Sequence, residues 1–181
     1  MSLTNATPAE AASGAKSASH ILATLPTASR NAALTAIHDA LLQNKEDILA
    51  ANARDLELAR KEAEGGRLSL NVRDLEDPVG KVTLRTRLDD GLDLERVSCP
   101  IGVLLIIFEA RPEVIANIAS LAIKSGNAAI LKGGKESTES FVAISTVISA
   151  ALQATEVPAA AIQLVTTRDV IPQLLALGPI Y

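Results

Sequence analysis

Three short apolar runs in the second half of the chain, each followed by a helical pattern, constrain the fold more than any other feature. The runs occupy residues 103–108, 128–131 and 162–165. The helical patterns that follow them begin near Pro112, Ser137 and residue 169. Strand–helix units repeated with short connections are typical of a parallel sheet. The sequence therefore predicts an α/β fold with a doubly wound parallel sheet.

The first 99 residues follow a different pattern. Apolar residues at helical spacing over 8–24 and again after Pro26 predict two helices, and a third precedes a diglycine at 65–66. Farther on, Val82, Leu84 and Leu88 alternate with polar neighbours, which favours an edge strand, and "DDG" at 89–91 is a turn signal. We therefore divide the chain into an N-terminal region of helices and edge strands (1–99) and a sheet domain (100–181).

Composition excludes several classes of function. A net charge of −4 and an aromatic content of 2% leave neither a basic surface for nucleic acid nor rings on which bases could stack. No stretch approaches the roughly 20 apolar residues of a membrane span, and the start of the chain lacks the pattern of a secretory signal. A single cysteine, Cys99, excludes an internal disulfide framework. These features predict a cytoplasmic protein that binds neither nucleic acid nor membrane.

The stretch "ILKGGKES", residues 130–137, leaves an apolar strand and enters a helix that Ser137 can cap. It is not a Walker A loop, because Glu136 stands where a hydroxyl should bind magnesium. Ligands of open α/β sheets bind at the carboxyl ends of the strands. Lys132 and Lys135 could pair there with a phosphate while the glycines permit close backbone approach. An exposed turn with solvated lysines explains the same residues and is favoured on spacing alone, because such turns are common.

The stretch "FEARPEV", residues 108–114, is the second candidate. Arg111 follows the first strand beside a helix start and suits an anion, while Glu109 could fix the arginine or act as a base. A structural Arg–Glu pair is the alternative. Cys99 has no activating neighbour in sequence and is interpreted as an ordinary thiol. His20 and His38 lack metal-ligand spacing, so no metal site is expected.

The segment "CPIGVLLIIFEARPEVIANIASLAIKSGNAAILKGGKES" resembles the γ-glutamyl phosphate reductase (glutamate-5-semialdehyde dehydrogenase) family, a branch of the aldehyde dehydrogenase superfamily. The family's E-x-R-P, K-S-G-N and G-G-K-E elements stand in order at residues 109–112, 124–127 and 133–136. The resemblance extends over nearly the whole chain. It implies a Rossmann-like, aldehyde dehydrogenase-type nucleotide-binding domain.

The resemblance also implies roles for individual residues. Lys132 would contact the adenosine ribose of the cofactor, with Gly133 and Gly134 shaping the turn. Lys135 and Ser137 would favour the 2′-phosphate of NADPH. The residues that would border the adenine are Thr166 and Thr167. The residues that would face the substrate are Arg111, which would hold the acyl phosphate or its oxyanion, and Glu109.

The reaction implied is NADPH-dependent reduction of L-glutamyl 5-phosphate to L-glutamate 5-semialdehyde with release of phosphate, the second step of proline biosynthesis. A cysteine thiolate attacks the acyl phosphate, and a hydride reduces the thioester. Glutamate 5-kinase is the candidate partner, and the complete enzyme is expected to be a homo-oligomer.

The chain departs from the family pattern in two places. The catalytic domain with the family's nucleophilic cysteine is expected to lie beyond residue 181, and Cys99 matches no catalytic motif. The family also carries a further helical segment within the region of "GGRLSLNVRDLEDP". We therefore expect the isolated chain to have no reductase activity. Two alternatives stay open: a non-catalytic module that pairs with a full-length copy, and a chain that does not fold stably.

Overall fold

The computed structural model describes residues 7–58, 71–109, 111–167 and 170–176. The helices are α1 (Pro8–Thr24), α2 (Thr27–Gln43), α3 (Lys45–Leu58), α4 (Glu113–Lys124), α5 (Thr138–Gln153) and α6 (Val170–Ala176). The strands are β1 (Val82–Asp89), β2 (Leu92–Val97), β3 (Val103–Ile107), β4 (Ala128–Lys132) and β5 (Ile162–Leu164). Short 3₁₀ turns lie at Asn71–Asp74, Lys135–Ser137 and Ala159–Ala161. The predicted stop of α3 at the diglycine 65–66 lies outside the described residues.

The sheet of the second half is parallel, in the order β3-β4-β5. Each connection carries a helix, α4 between β3 and β4 and α5 between β4 and β5. Gly126 ends α4 with a φ of +72°, a left-handed conformation that glycine adopts without strain. The predicted strand–helix repeat and the α/β fold class are confirmed.

Helices cover both faces of this sheet. Helix α1 packs on the sheet and contacts α6, while α4 and α5 pack on the sheet and on each other. Helices α2 and α3 form an outer layer, with α2 against α4 and α5 and α3 against α5. Strand β4 lies at the centre and is buried along its whole length.

One hydrophobic core joins the two halves of the chain. Buried residues of α1 and α2, such as Leu22 and Ile37, belong to the same cluster as Ile130 of β4 and Ile148 of α5. The amide of Gln163 reinforces this contact from β5, because its Nε2 donates to the carbonyl oxygen of Ala11 in α1 at 2.7 Å. The division at residue 99 stays a prediction, and the core extends across it.

The predicted edge strand around Val82 is a strand, but it does not join the parallel sheet. Strands β1 and β2 form a separate antiparallel hairpin in which every residue is exposed. The two residues Asp90 and Gly91 connect them, and Gly91 takes a φ of +77°. An Asp-Gly pair flanked by alternating apolar residues favours such a hairpin, so the sequence held the signal for β2.

Strand β3 also differs from expectation. A continuous apolar run such as this one is typical of a strand buried on both faces, but four of its five residues are half-buried and Ile107 is exposed. Among the described strands β3 pairs only with β4, which explains the incomplete cover. Within the described part of the chain, none of the helices combines the length and the apolar character needed to cross a bilayer.

Candidate functional site

The candidate site is the edge of the sheet where the parallel strands end. The amide of Phe108 donates to the carbonyl oxygen of Lys132 at 3.0 Å, and the amide of Val165 donates to that of Leu131 at 2.9 Å. Neighbouring strands lie about 4.8 Å apart. The ends of β3, β4 and β5 therefore bring Glu109, Lys132 and Thr166 to one edge, with Lys132 in the middle.

Lys132 is the last residue of β4, and its side chain is buried, with 5% of its surface exposed. Its Nζ donates to the carbonyl oxygen of Gly133, the next residue. The ammonium group thus folds back onto the turn instead of extending along the edge. Sequence spacing predicted a cation here but not its orientation.

Position 133 must be a glycine because a neighbouring side chain leaves no room for a Cβ atom. A Cβ atom at this position would lie 2.1 to 2.8 Å from three ring carbons of Phe141 in α5. The Phe141 ring therefore fills the space on the side of the missing Cβ, and the close approach of a ligand to this turn stays a prediction. Gly134 has an ordinary extended backbone, with φ −65° and ψ 164°.

Lys135 and Ser137 form the 3₁₀ turn that leads into α5. Lys135 is exposed, whereas Ser137 is 8% exposed. Ser137 occupies the N-cap position of α5, as predicted, but its side chain makes no capping hydrogen bond. The predicted N-cap position of Ser137 is therefore confirmed, but the predicted capping hydrogen bond from its side chain is absent.

Thr166 and Thr167 follow β5 directly. Thr166 is half-buried and Thr167 is exposed. Because β5 pairs in register with β4, both threonines follow the strand end at the same edge of the sheet as Lys132. The structure thus brings the predicted residues of two separate segments to one edge.

Arg111 pairs with Glu113 and not with Glu109, which corrects one expected pairing. Arg111 Nε donates to Glu113 Oε1 at 3.1 Å, and the Arg111 side chain is 72% exposed. Glu109 contributes its backbone, whose carbonyl oxygen accepts from the Arg111 amide at 2.8 Å. The guanidinium group stands just before α4, exposed and only partly neutralised.

Cys99 lies at the opposite edge of the sheet from Lys132. It precedes β3, and the neighbouring Gly102 already pairs with the amino end of β4, since its carbonyl oxygen accepts from the Ala128 amide at 2.8 Å. Five strand residues then span about 16 Å to the carboxyl edge. The thiol is exposed and Sγ lies 3.8 Å from the Val97 carbonyl oxygen.

The histidines lie on helices away from the carboxyl edge. His20 is exposed on α1, and His38 on α2 pairs with the neighbouring Asp39, with Nδ1 and Oδ1 3.1 Å apart. No group of three metal-binding side chains occurs among the residues that the structure describes.

An ion pair between a buried arginine and a partly buried aspartate lies near the start of the hairpin, and the sequence does not indicate it. The Arg30 side chain is 3% exposed and its Nη2 lies 2.5 Å from Asp77 Oδ2. Thr27 Oγ1 and the Val79 amide also donate to this carboxylate. Burial works to raise the pKa of Asp77, but these hydrogen bonds and the charges of Arg30 and Lys124 outweigh it and lower the pKa. The partners are 47 residues apart, so no local pattern marks them.

The chain matches the model of the aldehyde dehydrogenase family over residues 2–177. It is 50% identical to the probable γ-glutamyl phosphate reductase of Schizosaccharomyces pombe, a match that covers 90% of this chain and 41% of the relative. It is 42% identical to the γ-glutamyl phosphate reductase of Saccharomyces cerevisiae, with 91% of this chain and 41% of the relative covered. The resemblance noted from the sequence is confirmed.

Solved structures of the same kind share the fold. The crystal structure of γ-glutamyl phosphate reductase from Saccharomyces cerevisiae superposes with a TM-score of 0.84 at 41% identity, over 94% of this chain and 48% of that one. The structure of the Thermotoga maritima reductase gives 0.83 at 31% identity, over 94% and 46%. The chain therefore spans somewhat less than half the length of the proteins it matches.

Proposed function

The chain belongs to the aldehyde dehydrogenase family, and on that premise we propose that it supplies the cofactor-binding part of an NADPH-dependent γ-glutamyl phosphate reductase. The reaction would convert L-glutamyl 5-phosphate to L-glutamate 5-semialdehyde and phosphate. Relatives that carry the reductase name at 42% and 50% identity support this choice within a family of oxidoreductases.

The observation that carries the proposal is the placement of Lys132 between the ends of β3 and β5 at the carboxyl edge. Open α/β sheets bind nucleotides at this edge. The donors gathered there fit the adenosine half of a phosphorylated dinucleotide: an ammonium group at Lys132, an exposed second ammonium group at Lys135, and the hydroxyls of Thr166 and Thr167. When bound, the reduced cofactor supplies the hydride.

In this proposal Lys132 exchanges its hydrogen bond to the Gly133 carbonyl for one to a ribose hydroxyl. Both acceptors are neutral oxygens, so the exchange leaves the charge of the lysine unchanged. Lys135 and Ser137 hold the 2′-phosphate, since an exposed cation beside a hydroxyl favours a dianion over a ribose hydroxyl. Gly133 and Gly134 shape the turn, with Gly133 held under the Phe141 ring.

Arg111 is the proposed contact to the acyl phosphate, and Glu109 lies in the same turn. The guanidinium group presently shares its charge with Glu113, whose side chain is 17% exposed. A phosphate would compete for the exposed nitrogens of Arg111, while Glu113 keeps the side chain directed along the helix start. For the complete enzyme the proposal includes a cytoplasmic homo-oligomer that receives its substrate from glutamate 5-kinase.

A non-catalytic module is the second candidate, and the position of Cys99 favours it for the 181-residue chain by itself. The chain has one cysteine, and it lies about 16 Å of strand away from the carboxyl edge. A thiol at that end cannot reach a substrate held beside Arg111. The module would retain the fold and the cofactor site without turnover.

Calorimetric titration of the pure chain with NADPH and with NADH tests the proposal. We expect saturable binding of NADPH that is tighter than binding of NADH. Lys135→Glu should weaken NADPH binding by about tenfold or more, because it replaces a charge-assisted hydrogen bond with a repulsion, and should leave NADH nearly unchanged. Lys16→Glu, at an exposed position of α1, is the matched control. Absence of binding, or equal losses in both variants, would overturn the proposed site.

A further inference from the structure

A polar recess lies between α2, α4 and the 3₁₀ turn Asn71–Asp74, away from the carboxyl edge of the sheet. Its volume is about 90 Å³, several times what one water molecule needs. The residues that line it are Leu34, Thr35, His38, Val72, Arg73 and Ser120. The space is thus large enough to hold a small ion.

The first of two observations that point to a ligand is the unpaired hydroxyl group of Ser120. It sits on α4 with 1% of its surface exposed, and its Oγ has no hydrogen-bond partner among the residues that the structure describes. A buried hydroxyl without a partner loses its hydrogen bonds to water and gains none in return, which is unfavourable. Because Ser120 lines the recess, an acceptor placed there would satisfy this hydroxyl.

The second observation is positive charge behind the recess, where Lys124 and the buried Arg30 both act on a single carboxylate, that of Asp77. Lys124 lies one helical turn from Ser120 and is 4% exposed, yet Nζ is held only by neutral oxygens, Asn31 Oδ1 at 3.0 Å and the Arg73 carbonyl at 2.9 Å. Within the described residues it forms no ion pair. Buried charges in proteins are normally paired.

The lining groups add donors at the mouth. Arg73 Nε donates to Asp74 Oδ1 at 3.2 Å. The guanidinium group of Arg73 has further N–H donors beside the recess. His38 contacts Asp39 through Nδ1, which leaves Nε2 for a second partner. Asp39 and Asp74 are exposed, so water screens their charges more strongly than that of the buried Lys124.

We propose that this recess binds a small oxyanion of the size of inorganic phosphate. Ser120 Oγ donates to one oxygen from below, Arg73 closes the mouth, and the field of Lys124 favours the negative charge. The site is separate from the carboxyl edge, because the Ser120–Lys124 end of α4 leads into the amino end of β4. It does not depend on the proposed reductase function.

Titration of the ¹⁵N-labelled 181-residue chain with inorganic phosphate, against potassium chloride at equal ionic strength, tests this site. We expect saturable shifts of backbone amides in residues 34–38, 71–74 and 119–124. Ser120→Ala should weaken binding by about tenfold, since a hydrogen bond to a charged group is lost. The same variant should melt no earlier than the parent without phosphate, because it removes an unsatisfied hydroxyl.

Arg73→Gln tests the mouth independently and keeps the backbone carbonyl that holds Lys124. Arg54→Gln, which alters an exposed arginine paired with Glu139 at 3.9 Å, is the matched control and should bind phosphate like the parent. Shifts that do not saturate, that spread over the surface, or that persist unchanged in Ser120→Ala and Arg73→Gln would overturn the proposal. Equal weakening in Arg54→Gln would do the same.

Discussion

Phe108 and Phe141 meet edge to face over the turn that follows β4, with ring centroids 5.4 Å apart and an interplanar angle of 72°. They are the only two phenylalanines of the chain. Phe108 follows β3, Phe141 belongs to α5, and the ring of Phe141 covers Gly133. The pair therefore fixes the turn that carries Lys132 and Lys135 against both neighbouring elements.

Gly133→Ala should destabilise the fold. The added Cβ would lie 2.1 Å from a ring carbon of Phe141, so the ring or the turn must move, which costs about 1 to 3 kcal/mol in a packed core. Gly134→Ala is the control, because its φ of −65° suits any residue. Urea unfolding of the two variants measures the difference. Equal midpoints would contradict the role given to the Phe141 contact.

Asp77→Asn should destabilise the chain by about 3 kcal/mol, because it leaves the buried guanidinium group of Arg30 without its carboxylate. Glu76→Gln removes an exposed pair with Lys81 and should cost less than about 1 kcal/mol. Chemical denaturation at pH 7 compares the two. A smaller loss for Asp77→Asn than for Glu76→Gln would refute the prediction.

The same carboxylate predicts a pH dependence. The pKa of Asp77 is lowered from 3.8 in the folded chain, so its stabilising contribution is complete above that value. The contribution is lost as pH falls through the lower folded-state pKa, because the unfolded chain then binds the proton more readily. Denaturation from pH 6 to pH 2 should show a loss of stability below about pH 4 that is reduced in Asp77→Asn. If the stability of the parent and of Asp77→Asn fell equally with pH, the role given to Asp77 in this pH dependence would be contradicted.

The strand–helix repeat could be predicted from the sequence because apolar runs and glycine stops are local signals. The three parallel strands, the start of α4 after Pro112 and the left-handed Gly126 all follow from neighbours a few residues apart. The residues of the carboxyl edge could be named for the same reason, since strand ends are readable and parallel strands end together.

Long-range contacts could not be predicted. The orientation of Lys132, the occupation of the Gly133 space by Phe141 and the Arg30–Asp77 pair each depend on packing between elements. The pairing of Arg111 with Glu113 was missed for a different reason. Both glutamates lie two residues from the arginine, and only the direction of the helix start chooses between them.

The 181-residue chain should not oxidise NADPH in the presence of L-glutamyl 5-phosphate. Cys99 lies at the amino edge of the sheet, far from the residues proposed to hold cofactor and substrate. Absorbance at 340 nm follows the reaction, and Cys99→Ser should behave like the parent. Turnover by the parent that disappears in Cys99→Ser would show that this thiol is catalytic.

Hydrogen–deuterium exchange of the chain with and without NADPH tests most directly whether the carboxyl edge binds the adenosine end of the cofactor. Protection is expected in residues 132–137 and 165–167, while the hairpin of β1 and β2 and the recess at residues 71–74 should exchange as before. Protection confined to other segments, or none at saturating NADPH, would contradict the assignment of this edge.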